Sequence, residues 1–444
     1  MQTSVDALVA KAARVVRSAA PAMPRREEMA QELSDADAAQ ERGHFLPDED
    51  ERIREVFARY LSVRGVLLEA VESIQPILDR QGELNSGNKT EDRHLRTFVI
   101  GFAAATILVR SANFMVGLAK DRSAVWKKLD EAEPRYGIQA KSYTAIYKNL
   151  SSSRRMWRYH EAMTFYEVHK EDIAELSEDP VIGHLVRLLA KEEAFFEKRK
   201  RSYLKKKWDY RLYSFKRRNV SGYKKVMFHL LKLSGSAIAE MKQPFVKGLG
   251  QGHRVTVETH SELVSLIRAG DVFITRHDDA MSNLFLPGFW PHAALYIGNQ
   301  GERDALGVSL PVEDGRCLRD FHFLEAKKDG VLFRPLTETL QVDAFMVLRP
   351  KLDESSRAEA LNRALTHEGK LYDFIFDFRK ADRLACTEVV YRSYHGVGPI
   401  SFELRRHTGR PCLSAEDLIE QALGSGHFEK IVEFGVDGDV LKRA

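Results

Sequence analysis

The stretch Leu384–Tyr394, LACTEVVYRSY, sets one cysteine just where a helical pattern begins. Val389, Val390 and Tyr394 recur at helical spacing and predict a stripe facing the core, with Glu388 and Arg392 facing outward. A cysteine in the first turn of such a helix feels the positive end of the helix dipole, which favours thiolate over thiol. Its backbone N–H is also a ready donor to a developing oxyanion. Taken alone, Cys386 is weak evidence, because a single cysteine at a helix start is more often a small buried apolar residue.

Upstream, FWPHAALYIGN puts His292 at the mouth of an otherwise apolar strand. Histidine is an odd choice there unless it faces a cleft, the plain alternative being a hydrogen-bonded strand-end residue. Between the two, FHFLEAKKDGV carries Glu325 at the end of another short apolar strand. Its carboxylate could orient an imidazole. It could equally be a surface acid beside Lys327 and Lys328, and His322 on the same face competes for the role.

The strings GDVFIT, PHAALYIGN, FLEA with the following DGV, GKLYDFIFDF and ACTEVVYRSY resemble, in this order, the permuted papain-like amidases of the YiiX/YaeF type. These are relatives of the NlpC cell-wall peptidases and the lecithin–retinol acyltransferase group. The resemblance covers about residues 265–435. It implies a histidine strand ahead of the cysteine helix, the reverse of papain's order, and here His292 precedes Cys386. It further implies Cys386 as nucleophile, His292 as base and Glu325 as acidic partner, with Tyr372 and Asp373 lining or supporting the cleft and no cofactor or metal needed. Two departures, the long aromatic loop His277–Pro291 and the inserted residues 300–320, reshape the pocket, so a substrate is not inherited. Phe289 and Trp290, with Phe285 and Leu286 in LFLPGFW, suggest an apolar lid and a lipid-like substrate, the alternative being a peptide or amino-acid amide.

Around these motifs, short apolar runs bounded by Gly, Pro or Asp predict strands at Asp271–Thr275, His292–Ile297, Phe321–Ala326, Val331–Arg334, Ala344–Leu348 and Phe428–Phe434. Helices are expected at about 355–368, 384–395 and 414–422, the last capped by Ser414 with Asp417 three residues on. The half before about residue 245 reads differently. Pro47 with Asp48, Glu49 and Asp50 opens a helix whose apolar face is Ile53, Val56, Phe57, Tyr60, Leu61, Leu67 and Leu68. Further helices are expected at 95–119, 122–131, 140–170, 180–215 and 220–240. The fold class is therefore α+β: an all-helical domain, 1–245, then a permuted papain-like domain, 246–444, with a small antiparallel sheet packed on helices. Gly248, Gly250 and Gly252 mark the linker.

At 444 residues with 44% hydrophobic and 30% charged content, the chain has material for two cores and excludes wholesale disorder. Three scattered cysteines, Cys317, Cys386 and Cys412, form neither a disulfide framework nor a zinc spacing and point to a reducing compartment. The N-terminus reads as an amphipathic helix rather than a signal peptide. The apolar run Phe98–Met115 carries Arg110 and Asn113, which favours a buried helix over a membrane span. A cytoplasmic protein is expected.

The formal net charge of +4 hides a local excess: residues 198–225 hold thirteen Lys and Arg and one acid, Asp209. Lys205, Lys206, Lys207, Arg211, Arg217 and Arg218 are interleaved there with Tyr and Trp, a composition suited to an anionic membrane surface. Nucleic-acid backbone is the weaker fit, and a solvated helix face paired with acids such as Glu192 and Glu193 is the plain alternative. Two functional classes follow: a cysteine hydrolase or acyltransferase acting on a small-molecule, lipid or peptide substrate, peripheral at the inner membrane surface, or a membrane-surface binding protein whose papain-like half is scaffold. The sequence sets no oligomeric state.

Overall fold

The computed structural model describes residues 2–74, 88–205, 253–277, 289–310, 320–407, 410–436 and 438–443. Cys317, Phe285, Leu286, the three linker glycines, and Lys206, Lys207, Arg211, Arg217 and Arg218 lie outside these residues, as does the Lys205 side chain. The chain divides into two compact units, Met1–Lys242 and Gln243–Ala444.

The first unit is helical. Its described helices are α1 Gln2–Ala19, α2 Ala30–Arg42, α3 Pro47–Ser73, α4 Asn88–Ala119, α5 Ser123–Leu129, α6 Ser142–Ser151, α7 Ser153–Val168, α8 Lys170–Glu175, α9 Gly183–Lys191 and α10 Glu193–Lys205. Helix α3 starts at Pro47, and the Glu49 carboxylate accepts the Leu46 N–H at 2.9 Å, satisfying a donor that the helix itself leaves open. Its expected apolar face is buried throughout. By length and composition Leu95–Ala119 could cross a membrane, yet 67% of its apolar window is buried within the protein. Phe102 packs on Tyr159, Tyr166 and Phe196, and Arg110 is neutralised by Glu192.

Two expected long helices are each broken. The 140–170 segment divides at Ser152, whose extended backbone (φ −67°, ψ 116°) ends α6 and caps α7. The 180–215 segment divides at Glu192. Among the described residues, Glu192 pairs with Arg110 and Glu193 with Lys170.

The second unit is built on a seven-stranded antiparallel sheet. Its strands are β1 Val272–Arg276, β2 His292–Tyr296, β3 Phe323–Lys327, β4 Gly330–Arg334, β5 Ala344–Pro350, β10 Phe428–Phe434 and β11 Lys442–Arg443, ordered β11-β10-β5-β1-β2-β3-β4. Between them come the helices α11 Val257–Val264, α12 Gln300–Ala305, α13 Leu336–Thr339, α14 Glu354–Leu365, α15 Cys386–Tyr394 and α16 Ala415–Gly424. The pairs β6 Leu371–Tyr372 with β7 Arg383–Leu384, and β8 Arg405–His407 with β9 Arg410–Cys412, are separate.

Because side chains alternate along a strand, Phe273, Ala294, Tyr296, Phe323, Phe345 and Val347 gather on one sheet face, where Leu263, Ile267, Leu340 and Val342 cover them. Helix α15 packs on β2 and β3, with α14 against it. The sheet thus holds β2 and β3 rigidly beside the cysteine helix.

Candidate active site

Cys386 is the first residue of α15, after Ala385 in extended conformation (φ −78°, ψ 166°). The two-residue strand β7 delivers it there, paired in parallel with β6 so that Tyr372 lies opposite Leu384. This places the GKLYDF motif directly beside the chain that carries the thiol. The Tyr372 hydroxyl hydrogen-bonds Cys386, and Phe374 and Phe376 pack edge-on against its ring.

His292 opens β2. The pairings Leu295↔Leu324 and Tyr296↔Phe323, continued along the strands, set Glu325 diagonally across from it on the same face. Diagonal neighbours are within reach of long side chains. The His292 Nε2–Glu325 Oε1 contact of 2.8 Å is the result. Its other ring nitrogen is left for the hydrogen bond to Cys386. Three residues far apart in sequence therefore form one hydrogen-bonded chain, on β3, β2 and α15.

The electrostatics favour an ion pair. Burial opposes a charged His292, but the Cys386 sulfur and Glu325 outweigh it and push the imidazole up to about 9. Burial likewise opposes the thiolate, yet His292 and the N–H groups of Ala293 and Thr387 hold the Cys386 pKa below its ordinary range.

Glu325 is 1% exposed, not a surface acid. Burial would raise its pKa, but Lys327, His292 and Arg334 hold it well below the usual carboxylate range. Lys327 reaches Oε2 at 3.0 Å and the Thr339 hydroxyl donates to it at 3.0 Å. Arg334 lies 3.5 Å away and also pairs with Asp329 at 2.5 Å and Glu338 at 2.6 Å. His322 turns away to the Asp320 carbonyl, at 3.0 Å, so it does not compete for His292.

Two expected orientations differ in the structure. Glu388 does not face outward but is 0% exposed. At the third position of α15 its carboxylate accepts the Ala385 N–H at 3.3 Å, closing the open helix start, and it accepts Arg392 Nε at 2.8 Å. Burial then pushes Glu388 up to about 8. Arg392 also donates to the Phe378 and Lys380 carbonyls, tying the helix to the GKLYDF loop. The Asp373 carboxylate points into that loop's own backbone, accepting the N–H groups of Ile375 at 2.9 Å and Asp377 at 2.7 Å. It holds a turn in which Phe376 has φ +54°, a left-handed conformation costly for a side chain of that size.

Phe289 and Trp290 are pinned immediately before the histidine strand, since one Glu416 oxygen accepts both N–H groups, at 2.7 and 3.0 Å. Trp290 is buried and Phe289 is 42% exposed, with the Arg276 guanidinium 4.6 Å over its ring. Sequence reasoning missed His277, which the positive charges of His292 and Lys327, after burial, depress to about 4. It also missed Thr339, Arg334, Glu416 and the structural role of Glu388. No group among the described residues is arranged to hold a metal ion.

This order of strand, carboxylate and cysteine helix has a counterpart among known proteins. Residues 266–420 match the family profile of the permuted papain-like amidase enzymes of the YaeF/YiiX type, the C92 peptidase family. This segment carries that family's pattern. The matched stretch runs from the residues ahead of β1 into α16 and includes Cys386, His292 and Glu325. The helical unit lies outside it. No curated protein and no solved structure matches the chain.

Proposed function

We propose that the chain is a thiol hydrolase that cleaves an amide, ester or thioester through an acyl-thioenzyme formed on Cys386. The observation that carries this reading is the unbroken hydrogen-bonded chain Cys386–His292–Glu325 at the start of a helix in a family of amidases.

The Cys386 thiolate attacks the carbonyl carbon, forming a C–S bond and moving the π pair onto oxygen. That oxyanion falls near the Cys386 N–H, in the helix turn whose N–H groups lack intrahelical acceptors, and near the Tyr372 hydroxyl. The His292 imidazolium gives its proton to the leaving nitrogen, oxygen or sulfur as the bond to it breaks. Water then attacks the thioester, His292 takes a proton from it, and the thiolate departs. Glu325 acts as the positioning carboxylate throughout, and Lys327, Arg334 and Thr339 keep it ionised and fixed.

The half-exposed Phe289 beside Arg276 supports an acyl group with an apolar portion and a nearby negative charge. Transfer to an amine or alcohol in place of water remains within the same chemistry, with the acceptor as the difference. We place the enzyme in the cytoplasm, with segment 198–225 bringing it to an anionic membrane. Liposome binding should then fall steeply between low and physiological salt.

The deciding experiment exposes the purified protein to cell extract and to panels of acyl amides, esters and thioesters, and maps adducts by mass spectrometry. An acyl mass on the Cys386 peptide that disappears in Cys386→Ala is expected. Turnover of a panel substrate at an undiminished rate by Cys386→Ala would sink the assignment.

A further inference from the structure

The helical unit contains a cavity that the amidase chemistry does not use. It measures about 90 Å³ and lies among α3, α4, α6 and α7. A single water needs only roughly 10–15 Å³ of such space, so this void is large enough for several atoms of a ligand.

Its origin is legible on α4. Gly101, Ala105 and Ala112 fall on the side of the helix that faces the cavity, and Leu68 and Val71 of α3 line it as well. A larger side chain at any of the three small positions would fill the space, as close packing normally demands. The walls are mostly aliphatic, which keeps a cavity receptive to apolar groups.

The polar part of the lining has one sign. Arg64 and Arg155 border the cavity, and no Asp or Glu is among its described lining residues. Tyr60, one turn before Arg64 on the same face of α3, is wholly buried; the Arg64 guanidinium donates toward its hydroxyl oxygen, and no acceptor for the hydroxyl's own proton is found among the described residues. Arg64 is its charged neighbour. A fully buried hydroxyl at a cavity wall costs free energy unless something accepts its proton. An anionic oxygen would satisfy the hydroxyl and meet the guanidinium together.

We propose that the helical unit binds an amphiphile with a single apolar chain and an anionic head, the chain against Gly101 and Ala105 and the head at Tyr60 and Arg64. A carboxylate and a phosphate monoester share this chemistry, and the test separates them.

The full-length protein is titrated with sodium decanoate, decyl phosphate and decyltrimethylammonium, with binding followed by saturation-transfer NMR. One or both anions should bind, and whichever binds more tightly names the head group. Ala105→Phe, which fills the void, should weaken that binding at least tenfold while keeping or raising the thermal midpoint. If Ala105→Phe fails to fold, Ala112→Leu at the cavity margin serves the same purpose. Arg64→Gln should weaken the anion at least fivefold and leave decanol binding unchanged. Failure of both anions to bind, equal binding of the ammonium compound, or undiminished binding in a folded cavity-filled variant would overturn the proposal.

Discussion

The helical unit and the candidate active site of the sheet unit arrange their charges in opposite ways. In the helical unit the buried charges close on one another: Arg110 meets Glu192, and Arg54 meets Glu133 and Asp50. Opposite charges meet within each group, the second joined by Lys128 at Asp50 and Arg135 at Glu133. Around Cys386 in the sheet unit the charges form an open-ended series, from Arg334 and Lys327 through Glu325 and His292 to Cys386, whereas Asp271 with Arg349 elsewhere in that unit closes like the helical pairs. A closed pair holds structure, whereas an open series places its last charge on an atom that can react. The contrast explains why one unit carries a readable chemical signature and the other a readable fold alone.

The largest effect that tests this contrast is at the open end. Cys386→Ala should lower turnover by at least about a thousandfold and leave the circular dichroism spectrum and thermal midpoint nearly unchanged. Next in size, Glu325→Ala leaves Lys327, Arg334 and His292 without their shared carboxylate. Denaturant titration should find a loss of about 3 kcal/mol, and turnover should drop on the order of a hundredfold. A smaller change is expected in Tyr372→Phe, about tenfold in turnover. Iodoacetamide labelling of Cys386 should survive that substitution, since it develops no oxyanion.

The pH dependence separates the two members of the ion pair. His292, raised to about 9 by the thiolate and Glu325, supplies the acid, so turnover should decline as pH rises through about 9. Labelling of Cys386 should not decline there, because losing the imidazolium proton leaves the thiolate in place. As pH falls through the lowered thiol pKa, both should fade together. A labelling rate that tracked an ordinary thiol would break the ion-pair description.

The smallest expected effect lies in the closed pair. Arg110→Leu alone should destabilise the protein by about 2 kcal/mol by stranding Glu192, and Arg110→Leu with Glu192→Leu should recover most of that. Turnover should be unchanged in both variants. A loss of activity in either would show that the helical charges are not self-contained.

Much of the sheet unit was legible because its elements are short and sharply bounded. The expected final strand coincides with Phe428–Phe434, and the other strands begin and end within two residues of their expected limits. The helical unit was less readable at its joints. Ser152, extended at φ −67° and ψ 116°, and Glu192, at φ −91° and ψ 5°, each break a helix, and apolar periodicity does not register a single residue that leaves helical backbone. Glu388 was misread for a related reason: on a helical wheel it stands beside Arg392 and looks solvated. Its burial follows from the helix start it closes and from the loop carbonyls that hold Arg392.

By itself the sequence determined the order of the parts: a helical half, a histidine strand, a carboxylate strand and a cysteine at a helix start. These are properties of local spacing and residue type, which a linear chain displays directly. Only the tertiary structure decided that Glu325 is buried among Lys327, Arg334 and Thr339, that Asp373 holds its own turn, and that Tyr372 reaches the thiol. Those facts depend on strand register and on which elements share a face, and such pairings between distant residues arise only when the chain closes on itself.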